Sequence, residues 1–476
     1  MANFFKLLVY KFSDQMGAQL ISLAVTIVLA RVIDIEEFGA IELILIFISL
    51  CQIFVQNGLN VALVQKDEIT DEEFSLALYL NGFVGAILYC LLFVSAPFIE
   101  DFYDFPNLAL YIRVCGVILF PAAYTSIQNA FMARQYMFKY QMRCNIISIV
   151  VGGAFGILSA FRGLGVWSFI VYQIISYTLT PLLGRIVVKW KPGKVHNIRK
   201  IVPIFKHGIR VLMANFIDTL YNNVTSLIIG KKFDASSLAL YSKGKQFPNA
   251  LSTSVNGAIQ TVSLPFLSRL QNDKSAMKES LRSFVQFGSF LVFPAMIGFM
   301  AISNELIVIL LTDRWLDAVL FMQYMCIIYA AYPLYTANTQ ALIAIGRTDI
   351  YFRVELIRKI LNLGVIVLSV FLFNSIRLLL LAQIIIIPCN IIICYAPNRK
   401  YLDYKIHEYV SDFIVPAVLS VLMFFTVNIV SVLHVNIFIL LLLKIFVGGL
   451  SYLLLNIVCR NKNAKLFISM ITNKHY

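Results

Sequence analysis

Apolar runs separated by short polar turns fill almost the whole chain. A spanning helix needs about 20 apolar residues, and about fourteen runs approach that length. They start near Ser13, Phe38, Ser75, Leu108, Cys144, Val166, Gly208, Ser237, Phe284, Ala318, Leu361, Ile376, Asp412 and Ile437. Closed β-barrels show short alternating segments instead, so these runs predict helices. Turns such as FRGLG (161–165) and LHVN (433–436) leave room only for tight helical hairpins.

The pattern repeats. ARVIDIEEFGAIE (30–42) aligns with GKKFDASSLALYS (230–242), and QNGLNVAL (56–63) with VNGAIQTV (255–262). YTSIQNAFMAR (124–134) then meets YTANTQALIAIGR (335–347), preceded by Pro121 and Pro333 respectively. The offset, about 200 rising to about 211 residues, carries one unit past an even number of spans, so both run in the same direction. This predicts an all-α integral membrane protein with two six-helix bundles related by a pseudo-two-fold along the membrane normal. The bundles are expected at 1–188 and 208–397, joined by a basic linker at 189–207. Two extra helices and a tail follow at 398–476.

Polar residues inside the runs fall at helical spacing. Lys243, Gln246, Asn249, Thr253, Asn256 and Gln260 recur every three or four positions, on one helix face. The second run carries Glu42, Ser49, Gln52, Gln56 and Asn60 in the same way. The first carries Gln15, Gln19, Ser22 and Thr26, and the seventh Asn215, Asp218, Asn222 and Thr225. Runs 3, 5, 6 and 11 to 14 show much less of this. Polar groups facing lipid would lose their water partners. A single amide is adequately explained as interhelical glue worth about 0.6 kcal/mol. Four stripes in repeat-related positions favour a polar cavity lined by Gln19, Gln52, Gln56, Asn215, Asn222, Gln246, Asn249 and Asn256.

Composition agrees: 60% of residues are hydrophobic, 13% are charged, and mean hydropathy is +0.81. Soluble domains carry roughly 25% charged residues. The net charge of +14 lies mostly in short turns, so it reports topology rather than nucleic-acid binding. KWKPGKVHNIRK (189–200), NRKYLDYK (398–405) and RNKNAK (460–465) fall on one side and put both termini in the cytoplasm. The acidic KDEITDEE (66–73) falls there too, but acidic residues count little in that rule. MANFFKLLVYKF reads as an interfacial start rather than a cleavable signal. The eight cysteines form no CxxC pair and read as packing thiols.

The buried charges are the costly feature. A lysine at mid-helix costs roughly 2.5–3.5 kcal/mol on insertion scales. Lys243, Lys245 and Arg113 lie well inside their runs, and Arg31, Lys231 and Lys232 lie at run ends. Together they would make one half of a cavity electropositive and suited to an anionic cargo. Lys243 and Lys245 could equally pair with Glu42 as a gate, or snorkel. Glu42 and Asp218 are also candidates for binding a coupling ion. Lys444 reads as a lipid-headgroup contact.

LARVIDIEEFGAIEL (29–43), NGLNVALVQKDEITDEEF (57–74), IQNAFMARQYMFKY (127–140), RGLGVWSFIVYQ (162–173), LALYSKGKQFPN (238–249) and ALIAIGRTDIYFRVELIRK (341–359) occur in this order. In these stretches the chain resembles the polysaccharide-transport flippases, Wzx-like and teichuronic-acid-exporter-like, of the multidrug/oligosaccharidyl-lipid/polysaccharide exporter superfamily. The resemblance implies fourteen helices and alternating access. It implies a cargo of polyprenyl-diphosphate-linked oligosaccharide, moved across the bacterial cytoplasmic (inner) membrane. It carries the role of binding the diphosphate to Arg31, Arg113, Lys243 and Lys245, through charge-assisted hydrogen bonds. It implies no cofactor beyond a coupling proton or sodium ion. Membrane lipids, a polysaccharide polymerase and glycosyltransferases are the implied partners. The internal duplication favours a monomer.

Two rivals remain. A multidrug exporter of the same fold would favour an apolar, acidic cavity. A membrane polymerase or glycosyltransferase would need a sizeable catalytic loop, and the longest external one lies near IEDFYDFPN (99–107). The five histidines are scattered, and no acid/base pair, nucleotide-binding loop or nucleophile motif stands out.

Overall fold

A computed structural model of the chain describes residues 2–56, 59–66, 69–188, 192–193, 201–433 and 435–459. Among these residues there is no strand. Most of the linker and the tail from residue 460 lie outside them. The chain forms two compact units, Met1–Ala239 and Leu240–Tyr476.

The first unit contains α1 (Ala2–Val32), α2 (Ile35–Gln56), α3 (Leu59–Gln65), α4 (Asp71–Tyr103), α5 (Leu108–Gly116) and α6 (Leu119–Arg134). It continues with α7 (Phe138–Phe161), α8 (Val166–Val187), α9 (Ile201–Lys232) and the first residues of α10 (Ala235–Arg269). The second unit holds the rest of α10, then α11 (Lys274–Ala301), α12 (Ser303–Leu311) and α13 (Ala318–Ala330). After these come α14 (Tyr332–Ala344), α15 (Thr348–Leu372), α16 (Ile376–Ile385), α17 (Ile387–Leu402), α18 (Ile406–Val430) and α19 (Ile437–Val458).

Eleven helical stretches are long and apolar enough to cross a membrane, with α5–α6, α13–α14 and α16–α17 each counted as one. In lipid a helix is the way an open chain satisfies its own backbone. Helices α9, α10 and α15, of 32, 35 and 25 residues, are as long but are not among these eleven.

The paired prolines break the fourth and tenth runs at matching places. Pro121 has no N–H to offer the Val117 carbonyl, which accepts instead from Phe120 N at 3.2 Å. Pro333 likewise leaves the Tyr329 carbonyl, to which the Ala331 N–H turns. Each proline sits in the first turn of the following helix, where a missing donor is tolerated. The acidic 66–73 segment starts α4 with a capping box. Glu73 N donates to Thr70 Oγ1 at 3.3 Å, and Thr70 N donates to Glu73 Oε2 at 3.1 Å.

Glycines set the packing of α7. A methyl on Gly152 would lie 2.8 Å from the Tyr172 carbonyl oxygen, and one on Gly156 would lie 3.1 Å from that of Ser168. A methyl on Gly153 would run into Val25 of α1. The glycines therefore let α1, α7 and α8 approach closely, as small residues do in membrane helices. The α7–α8 hairpin turns through Gly163 and Gly165, both with positive φ (77° and 52°).

In the second unit the α18–α19 hairpin is built into the core. Leu419, Met423, Val427 and Tyr452 pack with Phe290 and Ala301. At one end Arg282 of α11 grips Asp412 of α18 with two hydrogen bonds of 2.8 and 2.9 Å. Gln286 and Tyr404 also donate to Asp412, at 2.5 and 2.6 Å. Burial, and then that carboxylate, push the Tyr404 hydroxyl well above its ordinary value, which keeps it a donor. Elsewhere Lys444 overturns the sequence expectation of a headgroup contact. It is 4% exposed, with Nζ 2.6 Å from Glu305 Oε1 and 3.3 Å from the Ala301 carbonyl. A buried ammonium needs a counter-charge, and the short α12, which the hydrophobic pattern does not announce, supplies it.

Candidate functional site

A cavity of about 470 Å³ opens inside the first unit. Five helices and the short α3 wall it, and polar atoms dominate the wall. The early part of α1 contributes Asp14 and Ser22, the end of α2 Gln56, and α3 Asn60. Thr125, Ser126 and Asn129 come from α6, about one turn apart. From α7 come Gln141, Cys144 and Asn145. The face of α8 that includes Tyr172, Ser176 and Thr180, spaced i, i+4, i+8, closes the wall.

Hydrogen bonds hold much of this wall in place. Asn145 Nδ2 donates to Asp14 Oδ1 at 3.0 Å, and Asp14 is 6% exposed. The Tyr172 hydroxyl donates to Ser22 Oγ at 3.2 Å, and Tyr177 donates to Gln52 Oε1 at 3.3 Å. Ser126 Oγ reaches the Gln56 carbonyl at 3.2 Å. Three lining atoms stay unmatched: Thr125 Oγ1, Gln141 Oε1 and Ser176 Oγ are buried without a hydrogen-bond partner. Leaving such a group unpaired costs about 1–3 kcal/mol.

Of the polar residues singled out in the sequence, Gln56 lines this cavity and Gln52 stands one bond behind it. Gln19 is exposed on α1, and Asn222 and Asp218 are exposed on α9. Asn215 and Asn249 are half-buried, as is Glu42. Asn256 is buried, bonds Ser252 of its own helix at 2.8 and 3.0 Å, and accepts from Thr336 at 3.1 Å. The sequence reading gave little weight to the fifth and sixth runs. The structure corrects it: α7 and α8 supply about half of the wall. Cys144, Tyr172, Ser176, Tyr177 and Thr180 pass as apolar when amides and charges are scored, whereas Gln141, Asn145 and Gln173 carry a signal that the stripe pattern passed over.

The basic residues have separate settings. Lys243 is 2% exposed and donates to Gln246 Oε1 at 3.1 Å. Lys245 is half-buried, with Nζ 5.8 Å from the centre of the Tyr241 ring. Between them Gly244 presses on α13, where a methyl would sit 2.9 Å from the Ala318 carbonyl oxygen. Arg113 donates to the Phe93 carbonyl at 3.1 Å and stacks 4.2 Å from the Phe93 ring, fastening α5 to α4. Arg31 is exposed in the last turn of α1. Lys231 pairs with Asp104 at 3.2 Å and lies 4.9 Å from the Phe102 ring.

Many apolar spans, broken helices and a polar cavity within a bundle define a multi-pass membrane protein. Its fold matches that of a solved structure described as lipid II flippase MurJ in an inward closed conformation. The TM-score is 0.73 at 15% identity, covering 95% of this chain and 99% of the other. A family model described as polysaccharide biosynthesis protein matches residues 28–320, and the chain belongs to that family. The teichuronic acid biosynthesis protein TuaB of Bacillus subtilis (strain 168) is 24% identical over 303 residues, 63% of this chain and 63% of its own length. The lipopolysaccharide biosynthesis protein WzxC of Escherichia coli (strain K12) is 21% identical over 395 residues, 83% of this chain and 80% of its own.

Proposed function

We propose that this chain is a flippase. It moves polyprenyl-diphosphate-linked oligosaccharide units across the bacterial cytoplasmic membrane by alternating access, for export of a surface polysaccharide. The observation that carries this reading is the pairing of a flippase-type fold with membership of a polysaccharide-biosynthesis family. The same reading takes α9, α10 and α15 as further spans, about fourteen in all, with both termini in the cytoplasm. Arg31, Arg113, Lys243 and Lys245 supply positive charge for the diphosphate. The burial of Lys243 supports this, because an intramembrane ammonium marks function by default. Glu42 and Asp218 serve as gate or coupling-ion residues. The protein acts as a monomer, alongside glycosyltransferases and a polymerase.

Lipid analysis after depletion of the protein in its own cell tests the reading. Complete diphosphate-linked units should accumulate on the cytoplasmic leaflet. Wild type should clear them, and a Lys243→Ala/Lys245→Ala variant present at the same level should not. Accumulation on the outer leaflet would place the protein at a later polymerising or ligating step. Unchanged lipids would end the flippase reading.

A further inference from the structure

The cavity inside the first unit differs in chemistry from the basic residues assigned to the diphosphate. Among the described residues that line it there is no Lys, Arg or His, and Asp14 is the one carboxylate. A diphosphate placed there would meet a like charge, and none of these described residues supplies a positive one. The wall offers amide and hydroxyl groups instead, with Tyr172 and Tyr177 adding ring surface that is apolar on its faces. At about 470 Å³ the cavity falls within the usual size of small-molecule sites, about 300–1,000 Å³. It is too small for a whole lipid-linked oligosaccharide, tail included.

The unmatched atoms state what is missing. Gln141 Oε1 needs a donor, and the Ser176 and Thr125 hydroxyls each need a partner of either kind. Ser176 is only 7% exposed, so bulk water is largely excluded from it. A ring carrying several hydroxyl groups presents donors and acceptors together and would satisfy all three. Their anchoring also favours a shaped site. Asn145, Tyr172 and Ser126 are each held by a hydrogen bond to α1 or α2, so the wall is set before anything binds, and less ordering is needed on binding.

We infer that this cavity is a neutral-sugar subsite: it receives one end of the oligosaccharide, while the diphosphate stays outside on the basic residues. The inference rests on the flippase reading and deepens it, since it divides the cargo between two chemically distinct places. Recognition of the sugar then lies in Thr125, Gln141 and Ser176, and recognition of the shared lipid diphosphate does not.

Cys144 lies in the cavity wall and serves as the reporter. The full chain, with every other cysteine replaced by alanine, is reconstituted in vesicles and labelled with N-ethylmaleimide. Three probes are compared: polyprenyl-diphosphate-linked oligosaccharide extracted from the source cell, sugar-free polyprenyl diphosphate, and sodium ion. The expected result is at least fivefold slower labelling of Cys144 with the first probe and no change with the other two. Equal protection by sugar-free polyprenyl diphosphate would overturn the inference by placing the diphosphate in the cavity. Protection by sodium alone would overturn it in favour of a cation site. Flipping of the oligosaccharide in the same vesicles without protection would also overturn it, yet leave the flippase reading intact. No flipping at all would remove the flippase reading, and the inference with it. Should the cysteine-replaced chain not fold, Gln141→Leu and Ser176→Ala in the native chain give a second readout. Each should weaken transport of the source-cell oligosaccharide about tenfold and leave binding of sugar-free polyprenyl diphosphate unchanged. Equal losses for both would sink the assignment.

Discussion

Two stretches that the sequence pattern aligns, one in each unit, treat a threonine differently. The sequence pattern aligns Thr125 of α6, four residues past Pro121, with Thr336 of α14, three residues past Pro333. Thr336 Oγ1 donates to Asn256 Oδ1 at 3.1 Å, whereas Thr125 Oγ1 is buried with no partner on the edge of a cavity. The surroundings follow suit. Asn362 of α15 and Asn390 of α17 exchange two hydrogen bonds of 3.2 and 3.1 Å, and Arg358 pairs with Glu355 at 2.7 Å. In the first unit α7 and α8 border the cavity, and their Gln141 Oε1 and Ser176 Oγ are buried unpaired. Of these aligned stretches, the second joins its amides and charges to one another, and the first borders a polar cavity. Because an unpaired buried polar group is costly, the polar cavity of the first unit is expected to complete its bonding with a bound molecule.

The sharpest break of the comparison is to loosen the second unit. Arg282→Ala leaves the Asp412 carboxylate, 2% exposed, with only neutral donors. Removing one partner of a buried pair costs about 3–5 kcal/mol. The partial exposure of Arg282, 23%, places the expected loss at the lower end. Thermal unfolding of the purified protein would show it. The double variant Arg282→Met/Asp412→Leu should recover most of the loss, because apolar replacement of a buried pair is often neutral. A single variant as stable as wild type would mean that this clamp does not hold α18 to α11.

A middle-sized effect concerns glycines. Gly153 of α7 and Gly364 of α15 fall together when the sequence alignment of the two halves is extended. A methyl on Gly153 collides with Val25, whereas one on Gly364 meets nothing within 4 Å. Gly153→Ala should therefore destabilise by about 1–3 kcal/mol through overpacking. Gly364→Ala should stabilise by up to about 1 kcal/mol, the difference in helix propensity. Equal effects of either sign, read by thermal unfolding, would show that α7 is not clamped more tightly than α15.

Much of this contrast was out of reach of the sequence, and for particular reasons. Spans are legible because a bilayer demands long apolar helices, and the breaks are legible because Pro121 and Pro333 remove backbone donors. The stripe on α10 is legible because Lys, Gln and Asn stand out against an apolar background. The cavity is not, because Tyr172, Ser176 and Thr180 pass as ordinary membrane-helix residues, and whether a serine is satisfied depends on helices far away in the chain. The Lys444–Glu305 pair joins residues 139 apart through a helix of nine residues, too short to be seen as a separate element in an apolar pattern.

The finest test applies the same substitution to both copies. Thr336→Val removes a donor from the buried Asn256 side chain and should cost about 1 kcal/mol, within the range for interhelical hydrogen bonds in membranes. Thr125→Val removes a hydroxyl that bonds nothing and keeps the side-chain volume, so its effect on stability should fall within about 0.5 kcal/mol of zero. Transport should reverse the order: Thr125→Val lowers the rate for the oligosaccharide cargo, and Thr336→Val changes it little. If the two variants lose stability equally, then Thr125 is bonded in the free protein and its stretch is as well paired as that of Thr336. If Thr125→Val leaves both stability and transport untouched, the unmatched hydroxyl is idle, and the burden of holding the sugar falls to Gln141 and Ser176 alone.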